Sequence, residues 1–394
     1  MRLCVIYLRF CYYLYIIALG YYLIRYALTI THFGIGLFNP VVALQEVLFK
    51  RVNYFKGGFV MDIKLHGAIG FDIGHSTVKI SCFADGVKHD IIFPSVATPA
   101  FNISDENEQR RAIEETVVIN GKPYFFGKTA LIQSGLPGST GLSESWIDTP
   151  EYEALMRGGL KKIRALDINP DECVIVMGLP TNLHSRQKAA LKHMAAECTT
   201  GRVLVMPQSL APYHGMMLDE VGNPSSRHSM ESEAWAVVEV GYFTTDIMLM
   251  QAGGTWVEKA AGSSRGVALA ADALMRSMGE KDVTVDLNEA EEALQTRTIK
   301  YFGENLDVSK EVELATSSIV ADVLDTSKKL IEPHVRKLDG VIIAGGGAPL
   351  VFDEIKAKWP HAVLADNHRF SVSEGMRRYA LVTLRLDAMS SFSR

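Results

Sequence analysis

Asp72, Gly74, Ser76, Thr77 and Lys79 fall within the stretch Gly70-Phe71-Asp72-Ile73-Gly74-His75-Ser76-Thr77-Val78-Lys79. These residue types at this spacing suit phosphate. Gly74 lets backbone N–H groups close on an anion, and Lys79 adds a cation. Asp72 can hold the hydrated metal that travels with a nucleotide phosphate. A plainer reading, an ordinary hairpin with a polar tip, stays open, because short glycine motifs are common.

The same order returns in Glu239-Val240-Gly241-Tyr242-Phe243-Thr244-Thr245-Asp246. An acid precedes a glycine turn, hydroxyls follow, and apolar strands flank both. Two such motifs suggest a duplicated architecture with one ligand clamped between the halves; coincidence between two polar turns is the alternative. Gln208 follows the strand-like 203–206 and Pro207. A glutamine there can orient water without titrating, or it can cap the next helix. Gly262-Ser263-Ser264-Arg265-Gly266 precedes a helical stretch, where hydroxyls suit a ribose or phosphate and equally serve as caps. Gly345-Gly346-Gly347 ends a buried strand and leaves no side chains, so a flat ring can pack on the backbone.

The elements that position these residues alternate between strands and helices, which implies sheets covered by helices. Strands are expected at 68–71, 78–83 and 88–93, with Asp85-Gly86 as a two-residue turn. Residues 100–115 read as a polar loop, and 116–126 as a second hairpin around Asn120-Gly121. Residues 132–148 read as a Gly/Ser-rich loop. Thr149-Pro150-Glu151 starts a helix with an N-cap, a proline in the first turn and a favourable acid. A strand at 173–177, a helix at 183–198 and a polar break at 219–233 follow. The Gly262–Gly266 stretch leads a helix at 267–278, and 286–294 is helical. A long helix ends before Pro333, and a last one begins at 373.

The chain has 394 residues, 48% hydrophobic and 22% charged, enough for two cores. The formal charge is -5 with no basic run, so direct electrostatic binding to nucleic acid is not indicated. Five scattered Cys without metal spacing read as free thiols in a reducing compartment. Residues 1–60 differ from the rest, with eight of the 14 Tyr, one acid (Glu46) and six Lys or Arg. The uncharged run Phe10 to Ile24 has 15 residues, whereas a spanning helix needs about 20. An uncleaved anchor, a signal peptide and translated upstream DNA are the three readings. Lys56-Gly57-Gly58 can be encoded by a purine-rich bacterial ribosome site ahead of Met61, which makes Met61 the expected start. The nucleotide sequence decides this: codons that spell no such site remove the idea.

Four motifs carry a family resemblance: Gly178-Leu179-Pro180-Thr181, Val205-Met206-Pro207-Gln208-Ser209, Gly241 to Asp246, and Ile343-Ala344-Gly345-Gly346-Gly347-Ala348. Together with the first acid–glycine hairpin they resemble the actin, sugar-kinase and heat-shock ATPase superfamily over residues 66–385. Within it the likeness is to the ParM/StbA plasmid-partitioning ATPases and their archaeal-actin relatives. The resemblance implies an α/β, two-domain actin-like ATPase fold, with duplicated RNase-H-like domains and a nucleotide cleft. Expected boundaries are an N-terminal extension at 1–60, domain I at 61–230 completed by 373–394, and domain II at 231–372.

It also implies ATP (or GTP) and Mg in the cleft. Asp72, Gly74, Ser76, Thr77 and Lys79 fall on the first phosphate motif, and Glu239, Gly241, Thr244 and Asp246 on the second. Asp72 and Glu239 would hold Mg through water, and Gln208 would place the attacking water. Gly345, Gly346 and Gly347 match the adenosine motif, with Gly262, Ser263 and Gly266 near the ribose. Two departures stand out. Glu239 replaces the usual Asp, and Tyr242 and Phe243 replace smaller residues. Both bear on hydrolysis rate more than on nucleotide binding.

The resemblance implies a bacterial cytoplasmic ATPase that self-associates into filaments and moves plasmid DNA apart through a DNA-binding adaptor. Membrane association follows only if residues 1–60 are translated. The competing expectations are three. A small-molecule kinase of the same fold needs a catalytic Asp facing an acceptor pocket. A chaperone ATPase needs a substrate domain, and a cell-shape cytoskeletal protein is favoured by a genuine membrane segment.

Overall fold

The computed structural model of the chain describes residues 65–134 and 145–391. The expectations for residues 1–60 lie outside the described residues, as does most of the 132–148 loop. Among the described residues no helix is long and apolar enough to cross a membrane.

The first half begins with strands β1 (Ala68–Ile73), β2 (Thr77–Ala84), β3 (Val87–Pro94) and β4 (Ala97–Pro99). Helix α1 (Glu106–Glu114), β5 (Thr116–Ile119), β6 (Lys122–Phe126) and α2 (Gly127–Ser134) form a small lobe with β4. Then come α3 (Pro150–Arg164), β7 (Val174–Leu179), α4 (His184–Cys198), β8 (Arg202–Pro207) and α5 (Leu210–Met217). The second half has β9 (Trp235–Val240), β10 (Thr244–Gln251), β11 (Thr255–Trp256) and β12 (Gly262–Arg265). It continues through α6 (Ala268–Gly279), α7 (Leu287–Thr296), β13 (Thr298–Tyr301), β14 (Glu304–Asp307) and α8 (Ser309–Val335). It ends with β15 (Gly340–Ala344), α9 (Ala348–Lys358), β16 (Ala362–Leu364) and α10 (Ser371–Ser391).

The halves repeat one topology. The first sheet runs β3-β2-β1-β7-β8 and the second β11-β10-β9-β15-β16, with β12 on β10. In each, an antiparallel meander continues into two parallel strands. The central strands β1, β7, β9 and β15 are buried along their whole length. Their near-continuous apolar runs suit strands covered on both faces.

Local chemistry sets the helices that cover them. Thr149 caps α3 by accepting from the Tyr152 N–H at 3.3 Å, with Pro150, Glu151 and Glu153 in the first turn and Lys161, Lys162 and Arg164 in the last. Such a cap stabilises by about 1 kcal/mol. The helix then buries Leu155, Met156, Leu160 and Ile163 in the first core. A capping box starts α7: Asp286 and Glu289 exchange side-chain and backbone bonds at 2.9 Å.

Helix α10 returns to the first half and packs on β1, β7 and α5. The crossing is so close that a Cβ on Gly70 of β1 would lie 1.8 Å from the Ser373 carbonyl oxygen, and one on Gly375 would lie 1.8 Å from that of Ala211. Arg377 is fully buried, holds both Glu374 oxygens at 2.7 and 2.8 Å, and lies over the Phe83 ring.

Three expectations are corrected. Residues 100–115 contain helix α1, capped by Asp105, which accepts from the Asn107 and Glu108 N–H groups. The long helix does not stop before Pro333 but continues to Val335, with the proline in its final turn. Gly262–Arg265 does precede the expected helix, which begins at Ala268, but its hydroxyls do not cap that helix: they lie in strand β12, with Ser263 opposite Asp246.

Candidate functional site

The two acid–glycine turns have the same closure. Between β1 and β2, the Gly74 N–H donates to the Thr77 carbonyl at 3.2 Å; between β9 and β10, Gly241 donates to Thr244 at 2.9 Å. A Cβ at Gly74 would come within 3.0 Å of the Thr77 oxygen, and one at Gly241 within 2.8 Å of the Thr244 oxygen. Only glycine closes these turns without displacing the backbone. Ser95 braces the first by donating its hydroxyl to the Gly74 carbonyl at 2.5 Å.

Each turn follows a buried acid. Asp72 is 4% exposed and bonded on both oxygens, by Gln208 Nε2 at 2.8 Å and by Lys79 Nζ at 3.4 Å. Gln208 reaches it from the turn between β8 and α5. Glu239 is 6% exposed, and among the described residues no hydrogen bond reaches its carboxylate. Burial pushes its pKa well above the ordinary value; Asp246 and Asp72 add to the shift and Lys79 opposes it.

The turns face each other across a cleft of about 590 Å³. Asp72, Gly74, Ser76, Thr77 and Lys79 line one wall. Glu239, Gly241, Thr244, Gly346 and Gly347 line the other, with Gln208 between. Eleven residues expected at one site therefore meet there, from segments far apart in the chain.

The other five expected residues stand behind the wall. Asp246 is fully buried and accepts from Ser263 Oγ at 2.5 Å, Thr181 N–H at 2.9 Å and Thr244 Oγ1 at 3.1 Å. Burial raises its pKa and these bonds offset part of the rise. Its place is a strut joining the halves. Gly262 and Ser263 lie in β12. Gly266 backs the second turn, where a Cβ would meet the Tyr242 and Gly241 carbonyl oxygens at 2.5 and 2.6 Å. The first N–H groups of α6 are consumed there: Val267 donates to Gly241 at 3.1 Å and Ala268 to Tyr242 at 2.8 Å. Those donors are spent on the turn, so this helix start offers little to an anion. Gly345 has φ +91° and exchanges two 3.0 Å bonds with His368. Gly346 alone of the three has open space where a Cβ would stand.

Several cleft residues were not foreseen. Ser76 Oγ donates to Glu291 Oε2 of α7 at 2.8 Å, which ties the first turn to the second half. His75 stacks on Trp146 at 4.5 Å and meets Phe243 of the second turn at 4.7 Å. Burial lowers the His75 pKa to about 4. The bulk at Phe243 thus has a use: it is one end of a ring stack across the mouth of the phosphate turns. Arg297 and Arg369 also line the cleft. Behind Gln208 lies a cavity of about 30 Å³, which His75 also lines. That is room for a water molecule.

Asp72 and Glu239 are the acids that precede the two turns, and Glu291 is a third acid of the cleft; among the described residues no cluster of three ligating side chains exists. A buried carboxylate without a hydrogen-bond donor, opposite a second carboxylate, fits a divalent ion that keeps waters and takes its other ligands from a phosphate.

Residues 70–203 match the family model for the N-terminal domain of actin-like proteins, and residues 237–357 match the C-terminal model of the archaeal actin homologue, MreB-like. No curated protein sequence matches the chain. Its fold is similar to that in the 15-stranded ParM filament from Clostridium botulinum, with a TM-score of 0.63 and 18% identity over 79% of this chain and 98% of that one. It is also similar to Ta0583, an archaeal actin homolog, with a TM-score of 0.64 and 19% identity over the same shares. The Ta0583 complex with ADP gives a TM-score of 0.61 at 17% identity, again over 79% and 98%. At these identities the likeness is one of fold. The two family models fall in order on the two repeated halves, and the chain belongs to the actin-like superfamily, with its two-domain fold.

Proposed function

We propose that this protein binds ATP or GTP with Mg between its acid–glycine turns and assembles into filaments in the bacterial cytoplasm. Hydrolysis drives filament turnover, and the filaments segregate plasmid DNA through a DNA-binding adaptor. The observation that carries the reading is the convergence of the two matched turns and Gln208 on one cleft. The ADP complex of Ta0583 and the filament of the Clostridium botulinum ParM support the nucleotide and the assembly.

The chemistry asked of the chain is small, because phosphoryl transfer to water is mostly positioning and charge stabilisation. Backbone N–H groups of the turns at Gly74 and Gly241 hold phosphate oxygens. Lys79 neutralises charge that builds on the leaving phosphate. Gln208 donates its amide N–H to Asp72, which leaves its carbonyl oxygen free to orient the attacking water. Magnesium, when bound, would offset phosphate charge, with Asp72 and Glu239 holding it through water. Glu239 keeps the charge of the usual Asp on a longer arm.

Pelleting of the full chain with and without ATP tests this, beside Asp72→Ala and Gln208→Ala. Assembly that needs ATP, is lost in Asp72→Ala and persists longer in Gln208→Ala is the expected result. Tight ATP binding without assembly at any concentration overturns the filament and points to a small-molecule acceptor instead.

A further inference from the structure

Among the described residues, His75 and Gln208 alone line both the cleft and the cavity of about 30 Å³ behind Gln208. They are the partition between the space at the phosphate turns and a chamber with room for a water molecule. Buried apolar side chains line much of that chamber, Trp146, Ile147, Leu179 and Leu183 among them. Tyr152 and Gln187 add polar groups to those of His75 and Gln208. A held water needs about two to four polar partners, which these side chains can supply.

Each half of the partition keeps an acceptor. Gln208 spends its side-chain N–H on Asp72 and its backbone N–H on the Leu179 carbonyl, both at 2.8 Å, so its side-chain carbonyl remains. His75 follows Gly74 in the first turn and is clasped by the rings of Trp146 at 4.5 Å and Phe243 at 4.7 Å. Because Phe243 belongs to the second turn, the imidazole is set from both walls of the cleft. Among the described residues no hydrogen bond reaches that ring. Loss of hydration holds its pKa at about 4, so at neutral pH the ring is uncharged and one nitrogen is bare. Packing between two aromatic rings does not call for those nitrogens. Phenylalanine would fill the same place without taking polar atoms out of water.

We propose that His75 is a second holder of the hydrolytic water: its bare ring nitrogen and the Gln208 carbonyl draw that water from the chamber and orient it toward the terminal phosphate. This rests on the nucleotide reading of the cleft. A water that donates one hydrogen bond to each acceptor turns its lone pairs toward phosphorus. Its oxygen bonds to the terminal phosphorus as the bond to the bridging oxygen breaks, and that electron pair leaves on the diphosphate. Both water protons end on the released phosphate, so His75 is neutral before and after.

The test compares the full chain with His75→Phe, His75→Gln and His75→Ala. Phosphate release is read at saturating ATP with magnesium, beside equilibrium binding of a fluorescent ATP analogue. His75→Phe keeps a ring between Trp146 and Phe243 and removes only the nitrogens. Its turnover should fall by about tenfold or more, while it binds nucleotide as the parent does and melts no lower. His75→Gln restores an acceptor and should recover part of the loss. His75→Ala should lose turnover as His75→Phe does and also melt lower. A parent that binds no nucleotide removes the reading of the cleft and the water's task with it. A parent that binds nucleotide but releases no phosphate overturns the role of His75, as does a His75→Phe variant whose turnover matches the parent's. A loss shared equally by binding and turnover, or one that His75→Gln does not lessen, overturns it too.

Discussion

Gln208 donates its amide to Asp72 across a sequence separation of 136 residues, at 2.8 Å. That bond fixes which end of the amide is spent. Asp72 takes the N–H side and Lys79 takes the second Asp72 oxygen, so the Gln208 carbonyl remains for water. A residue at the end of β8 is thereby oriented by one in β1.

Gln208→Ala should therefore separate binding from hydrolysis. Loss of a positioned group that handles the attacking water costs about a hundredfold or more in turnover. Nucleotide affinity should change little, because the turns at Gly74 and Gly241 are untouched. Phosphate release measured beside equilibrium nucleotide binding checks this; a parallel loss of both contradicts it.

The bond from Ser76 to Glu291 places a carboxylate on a hydroxyl of the first turn. Burial raises the pKa of that carboxylate, and the Ser76 bond opposes the rise. An incoming phosphate competes for the same hydroxyl. Glu291→Ala should speed association of a fluorescent nucleotide, on the order of tenfold at low salt, by removing a like charge from the entry path. An unchanged association rate with faster dissociation would instead assign Glu291 to holding the ligand.

His214 is buried and His75 is half-buried between Trp146 and Phe243, and loss of hydration lowers each pKa from 6.5 to about 4. The fold keeps both rings neutral, while the unfolded chain protonates them near 6.5. Their contribution is full above pH 6.5 and is lost as pH falls toward 4. Each is worth roughly 3 kcal/mol over that window. Urea unfolding at pH 7 and pH 5 should show the loss. His75→Phe, which keeps a ring against Trp146 and Phe243, should lessen it; an identical slope in that variant contradicts the assignment.

The lock of α10 predicts a large stability effect far from the cleft. Arg377→Ala leaves Glu374 buried without its main partner, a change that costs about 3–5 kcal/mol. Arg377 and Arg378 hold the Glu374 pKa below its ordinary 4.5 against the cost of burial. That contribution is present above 4.5 and is lost as pH falls through the folded value. Thermal melting of Arg377→Ala at pH 7 and pH 4 should show a large deficit at the first and a smaller one at the second.

The repeated half was legible because its signal is local. An apolar run, an acid, a glycine and hydroxyls specify strand, turn and strand within ten residues, as Asp72 and Glu239 both do. What was missed depends on distance. Nothing near Ser76 names Glu291, and nothing near His75 names Trp146 or Phe243 as its partners. The strand at Gly262–Arg265 was hidden because Ser263 owes its place to pairing with Asp246, not to its own propensity. Helix α1 was legible in principle: Asp105 with Glu106 and Glu108 is an N-terminal signature. It was obscured because the helix buries only Ala112 and carries almost no apolar face. Asp246 looked like a site residue because the motif holds it, yet its three bonds face inward to Thr181, Thr244 and Ser263.

Light scattering and phosphate release followed together on the full chain after addition of ATP and magnesium test whether assembly and its turnover are set in this cleft. Scattering should rise first, then fall as phosphate accumulates, and Gln208→Ala should rise and stay high. Phosphate release without any rise in scattering, or equal lifetimes for the parent and Gln208→Ala assemblies, would contradict a filament whose turnover is set in this cleft.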